Sequence, residues 1–87
     1  MKKQNKFKYK RVRLYWQDIV SNPEWLTLAK AKDQMYSWCE DTGYLLHKDQ
    51  KKVIIFASHS FDDDGELSVG NTTTYPRSVV KKIEVLK

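Results

Sequence analysis

Asp62-Asp63-Asp64-Gly65 is the densest run of oxygen donors in the chain, and hard cations such as calcium or magnesium take several carboxylate oxygens. An EF-hand loop needs ligands at alternating positions closed by a glutamate further along, and here only Glu66 follows, directly after the glycine. The run therefore reads as a solvated turn. His47 and His59 flank a turn near Gln50, and pairing across that turn puts His47 opposite a residue near Val53, so the two imidazoles do not share a metal. Ser58-His59-Ser60 places a histidine between two hydroxyls, yet neighbours in a strand point to opposite faces, which separates His59 from both. Cys39 is the single cysteine, so it forms no internal disulfide and no four-cysteine metal site; between Trp38 and Glu40 it reads as packing. The three glycines stand far apart and make no phosphate-cradling loop. This inventory predicts no catalytic residue, no metal and no cofactor, and a binding protein rather than an enzyme.

Charge is the stronger signal. The 87 residues carry a net charge of +5, but residues 1 to 13 hold Lys2, Lys3, Lys6, Lys8, Lys10, Arg11 and Arg13 with no acid. The remaining residues carry nine basic and eleven acidic side chains, so the body is close to neutral and the basicity is a leader. Contact with a polyanion is expected to concentrate there. No run approaches eighteen apolar residues, which excludes a membrane-spanning helix, and the basic start lacks the apolar stretch of a signal peptide. A cytoplasmic protein with no membrane partner is the expectation.

The elements that position these residues are short. Val53 to Ser60, rich in β-branched and aromatic side chains, reads as a strand buried over most of its length. Before it, Val12, Leu14 and Trp16 alternate with Arg11, Arg13 and Tyr15, predicting a first strand from about Tyr9 to Asp18. Ser21-Asn22-Pro23-Glu24 has the form of a capping box, and Leu28, Ala31 and Met35 follow at helical spacing, predicting a helix near 23–32 that begins at either Pro23 or Thr27. Tyr36 to Lys48 reads as a second strand with Gly43 at a bulge or close approach. Two hairpins follow, turning at Asp49-Gln50-Lys51 and at Asp62 to Gly65, where Gly65 supplies a positive φ. Tyr75-Pro76-Arg77-Ser78 reads as one tight helical turn before a last strand, Val79 to Leu86, with Ile83 and Val85 inward.

This order resembles the SH3-like small barrels, in which a long first loop precedes three meandering strands, a helical turn and a last strand closing on the first. The fold class expected is mainly β: a five-stranded SH3-like small barrel over residues 9–87, preceded by a flexible basic arm over 1–8. A second resemblance is carried by Tyr15-Trp16-Gln17-Asp18-Ile19, Trp25, Gly43-Tyr44-Leu45 and Tyr75-Pro76-Arg77-Ser78-Val79-Val80-Lys81-Lys82-Ile83. These are similar to small tailed-bacteriophage proteins of undescribed function sharing a Trp-x-Asp-Ile start, a Gly-aromatic-Leu centre and a Pro-x-x-x-Ile-x-x-Ile close. That likeness implies a phage accessory protein working in the host bacterial cytosol, and it assigns no catalytic residue.

Two functions follow as expectations. The first is binding to DNA or RNA, with Lys2, Lys3, Lys6, Lys8, Lys10, Arg11 and Arg13 attracting phosphates and Tyr9 and Tyr15 stacking on bases. The alternative is docking on a host bacterial protein through Trp25, Tyr36 and Trp38, in or beside the long first loop that the SH3-like resemblance makes a ligand surface. Trp25 and Trp38 equally fit a structural role as plugs at the barrel ends. Self-assembly into a homo-oligomer through an unpaired strand edge is a third option.

Overall fold

The computed structural model describes residues 7–87. Five antiparallel strands form one sheet: β1 (Arg11–Asp18), β2 (Ser37–Lys48), β3 (Lys52–Phe61), β4 (Leu67–Pro76) and β5 (Val80–Val85). The order across the sheet is β4-β3-β2-β1-β5, so three strands meander and the last returns to lie beside the first. β4 and β5 are the two ends and do not pair with each other. The sheet is thus open where closure was expected: β5 spends its ladder on β1 through Val12 to Trp16, and nothing bridges from it to β4.

β2 is shared between two ribbons. Its first part pairs with β1, from Asp18 opposite Ser37 to Arg11 opposite Tyr44. From Tyr44 onward it pairs with β3, Tyr44 opposite Phe56 and Lys48 opposite Val53, with a register shift between Leu45 and His47. Gly43 stands at the handover, where a Cβ would lie 3.0 Å from the Phe56 carbonyl oxygen and 3.1 Å from Ile55 Cδ1. A glycine lets the two backbones approach this closely.

Alternation along the strands fills the core. Val12 and Leu14 from β1, Val53 and Ile55 from β3, Tyr75 from β4 and Val80 from β5 are buried together, with Trp16, Leu45, Val79 and Ile83 packed around them. Val85, expected inward beside Ile83, is half exposed, because the end strand β5 has no neighbour on its far side to cover it.

Both hairpin turns close on an aspartate. Asp49 Oδ1 accepts from the backbone N–H groups of Lys51 and Lys52 at 2.7 and 2.8 Å. Asp62 Oδ1 accepts from Asp64 and Glu66 at 3.0 and 2.8 Å, and Gly65 adopts the anticipated positive φ of 84°. The turn before β5 is a 3-10 helix over Arg77–Val79, also as anticipated.

The α-helix α1 is shorter than the predicted 23–32, spanning Leu28–Lys32. Thr27, in an extended conformation, caps it by accepting from the Lys30 N–H, so Ser21 is not the cap. Asn22 Oδ1 instead accepts from the Glu24 N–H at 2.9 Å and holds the Pro23 corner as an Asx turn. The helix buries no residue. Among the described residues, no helix is long and apolar enough to cross a membrane.

Candidate nucleic-acid interface

Phe56 is fully buried yet belongs to a different assembly from the core. Opposite Tyr44 in the ladder, it meets the Tyr44 ring at 5.5 Å and the Tyr9 ring at 5.5 Å, edge-on in the second case. Phe7 completes the group: it stacks on His59 at 4.2 Å and 28°, and meets Tyr44 edge-on at 4.8 Å. Phe61 extends the row, its ring 5.9 Å from that of His59. Six rings from three stretches of chain therefore form one wall, and contacts of this kind contribute about 0.5–1.5 kcal/mol each beyond area burial.

Strict alternation would send Phe56 and His59 to opposite sides of β3. The β3–β4 ladder runs from Phe56 opposite Thr72 to Ser58 opposite Gly70 and skips the step between them, where Asn71 has φ 54°. Asn71 Nδ2 donates to Ser58 Oγ at 2.8 Å, steadying a left-handed backbone that asparagine tolerates better than most residues. Phe7 nevertheless reaches both rings, at 6.0 Å from Phe56 and 4.2 Å from His59. An open groove of about 280 Å³ beside the wall is lined by Ser58, His59, Ser60, Ser68, Val69 and Gly70.

The cations next to this wall are those of the leader. Lys8 Nζ lies 5.9 Å from the Tyr9 ring centroid, and Lys10 and Arg11 are exposed. Leu45 N–H donates to the Lys10 carbonyl at 2.9 Å, which continues the β1–β2 ladder into the leader. Lys2, Lys3 and Lys6 lie outside the described residues. Phe7, within the 1–8 segment expected to be loose, packs against the sheet.

Arg13 and Tyr15 sit further along β1 in a different setting. Arg13 Nη1 is 3.3 Å from Glu84 Oε1, its Nε is 3.9 Å from Glu40, and the Tyr15 hydroxyl donates to Glu84 at 3.1 Å. Lys82 Nζ stands 5.4 Å from the Tyr15 ring centroid. The Arg13 charge is balanced locally, whereas Lys8, Lys10 and Arg11 have no such acids recorded beside them among the described residues.

Trp25, Tyr36 and Trp38 are not brought to the wall. They lie in or beside the excursion that leaves the sheet at Asp18 and returns at Ser37, at the far end of β1. All three are exposed, Trp25 completely, so neither tryptophan plugs a barrel end. Trp16 is half-buried against the core as anticipated, with its indole Nε1 donating to Asp41 at 3.0 Å. His47 faces Ile54 and contacts Asp49 at 2.7 Å, far in the ladder from His59. Among the described residues, no three His, Cys, Asp or Glu side chains converge as a metal cage requires.

Tyr9 was singled out by the sequence, but Phe7, Tyr44, His59 and Phe61 were not. Tyr44 opposite Phe56 was the available signal, since the Asp49 turn fixes that register to within a residue. Comparison with family models, with curated proteins and with solved structures finds no match for the chain.

Proposed function

We propose that this protein is a non-catalytic module that binds nucleic acid through the ring wall and the basic leader. The observation that carries this reading is the seating of Phe7 among Tyr44, Phe56 and His59, which ties a stretch dense in lysine to a surface of aromatic faces. Aromatic faces stack on bases of any sequence, contributing about 1–3 kcal/mol per base, while cations track the phosphates. His59 and Phe61, the exposed rings of the wall, suit single strands, whose bases are free to splay. The strand order supports an SH3-like barrel left open at its β4–β5 seam, and the stretches Trp16-Gln17-Asp18-Ile19 and Gly43-Tyr44-Leu45, which resemble those of small phage proteins, support an accessory role in the host bacterial cytosol.

The test is fluorescence anisotropy of labelled single-stranded and duplex oligonucleotides across a salt series. For a single strand, about four neutralised phosphates give a slope of log affinity against log salt near −3. A slope near zero, or equal affinity after removal of residues 1–10, would remove the basis of the proposal.

A second reading, docking on a host bacterial protein, is favoured by the complete exposure of Trp25 on a body of nearly balanced charge. Pull-down from nuclease-treated bacterial lysate should then retain one dominant protein partner. Loss of every partner with the nucleic acid counts against it.

A further inference from the structure

The excursion between β1 and β2 is built to be covered. Ile19, Trp25, Leu28, Met35 and Tyr36 are all exposed on it, Trp25 at 100% and Leu28 at 80%, and Trp38 is exposed at the adjoining start of β2. Each tryptophan carries about 150–250 Å² of surface, so these side chains exceed the largest apolar patch a monomer ordinarily shows, about 300–600 Å². The segment also lacks the means to hold itself. A five-residue helix that buries nothing is well below the length at which isolated helices persist. The β1–β2 tip from Gln17 and Trp38 outward has no third strand beside it, and an isolated two-stranded ribbon is marginal.

The size of the cover follows from the area. Trp25 is fully exposed and Ile19, Leu28, Met35, Tyr36 and Trp38 are 49–86% exposed, which at about 100–250 Å² a side chain comes to roughly 1,000 Å², the lower end of what each partner contributes to an obligate dimer, about 1,000–2,500 Å². Charge identifies the partner. The arm, residues 19–36, carries Glu24 and Asp33 against Lys30 and Lys32, a net charge of zero within a chain of +5. Glu24 lies toward the start of the arm and Lys30 and Lys32 toward its end, so two copies running antiparallel set opposite charges against one another. Lys8, Lys10 and Arg11 lie at the other end of β1, about 25 Å away, so two copies joined at their arms hold these cations apart.

We propose that residues 19–36 form a dimerisation arm, and that two copies of this chain pack arm against arm about a two-fold axis, burying Trp25 and Leu28 at the centre. This contact does not depend on the nucleic-acid reading.

The experiment is the solution mass of the full chain by sedimentation equilibrium, after nuclease treatment, at high salt and with reductant, so that neither bridging nucleic acid nor a Cys39 disulfide imitates the contact. Wild type should have twice the 10.3 kDa chain mass. The double substitution Trp25→Glu with Leu28→Glu should give the single mass with unchanged far-ultraviolet circular dichroism, since neither side chain is buried in the protomer. Reversing Lys30 and Lys32 to Glu in one chain, and Glu24 and Asp33 to Lys in another, should weaken each homodimer, and mixing the two should restore a dimer. A monomeric wild type overturns the proposal and leaves the arm to a different protein; a compact monomer, with a radius of gyration of about 12 Å, assigns it to the chain's own open sheet. A dimer that survives the double substitution, or no recovery on mixing, also overturns it.

Discussion

Tyr75 on β4 donates its phenolic hydrogen to the Asp41 carboxylate on β2, although β3 lies between those strands in the sheet. The Trp16 indole donates to the same oxygen at 3.0 Å, and its ring meets that of Tyr75 edge-on at 5.4 Å. Side chains from β1, β2 and β4 thus converge above the core and bend the sheet over it. Hydrogen bonds to a charged group contribute about 1.5–3 kcal/mol, so Asp41→Ala is expected to lower stability by about 2–3 kcal/mol. Tyr75→Phe, which leaves Asp41 its bond from Trp16, should cost about 1–2 kcal/mol. Thermal melts check both, at about 4–8 °C per kcal/mol for a domain of this size.

Burial, and then the Asp41 carboxylate, hold the Tyr75 phenol above its ordinary pKa of 10.0. A group raised in this way stabilises the fold fully below pH 10, and that contribution declines as pH rises from there through the folded value. Phenolate absorbance should show a step above pH 10 that Tyr75→Phe removes, and the same substitution should flatten the alkaline loss of stability. An absorbance titration that Tyr75→Phe leaves unchanged above pH 10 would contradict the burial.

Gly43→Ala places a methyl group 3.0 Å from the Phe56 carbonyl oxygen, a backbone atom that cannot swing aside. Separation of β2 from β3 at the handover is the expected response, at a cost of about 1–3 kcal/mol. Chemical denaturation reads the loss. Gly70→Ala, whose added carbon meets only Ser58 Cβ at 3.9 Å, should cost less and serves as the control.

The hydrogen bond from His47, then the backbone N–H groups of Lys52 and Lys51, lower the Asp49 carboxyl from 3.8 to about 2. A depressed carboxyl stabilises the fold above its unfolded value, and that contribution disappears as pH falls from about 4 through about 2. Carbon-detected NMR titration should find Asp49 protonating at about pH 2, below the ordinary 3.8. His47→Ala should move it back toward the ordinary value.

Within the ring wall, Tyr9→Ala and His59→Ala are each expected to weaken single-strand binding by about fivefold or more, the effect of losing about 1 kcal/mol of stacking. Arg13→Ala, whose charge is already met by Glu84 and Glu40, should change affinity and salt slope little. Anisotropy titrations compare the three, and a dominant loss at Arg13 would move the interface along β1.

Five strands, two aspartate-closed turns and the 3-10 turn were legible because each rests on local chemistry: alternation, Gly65, and Pro76 before Arg77. Helix placement was not, since Ser21 and Thr27 both offer a capping hydroxyl and only the conformation around Pro23 decides between them. Closure was over-read for a related reason. Strand count and order say which strands neighbour one another, but whether β4 meets β5 depends on curvature accumulated across the whole sheet. The leader's lysines were evident from composition, whereas the wall beside Lys8 depends on the strand register and on where Phe7 seats. Neither is visible without knowing that Tyr44 faces Phe56.

Because β2 lends one half to β1 and the other to β3, neither ribbon melts without releasing half of its neighbour's partner. Amide exchange should therefore show Leu14, Tyr44 and Ile55 opening together in a single global event, while Trp25 and the residues around it exchange freely in the isolated protomer. A chain with so modest an interior holds together as one cooperative unit through the strand its two halves have in common.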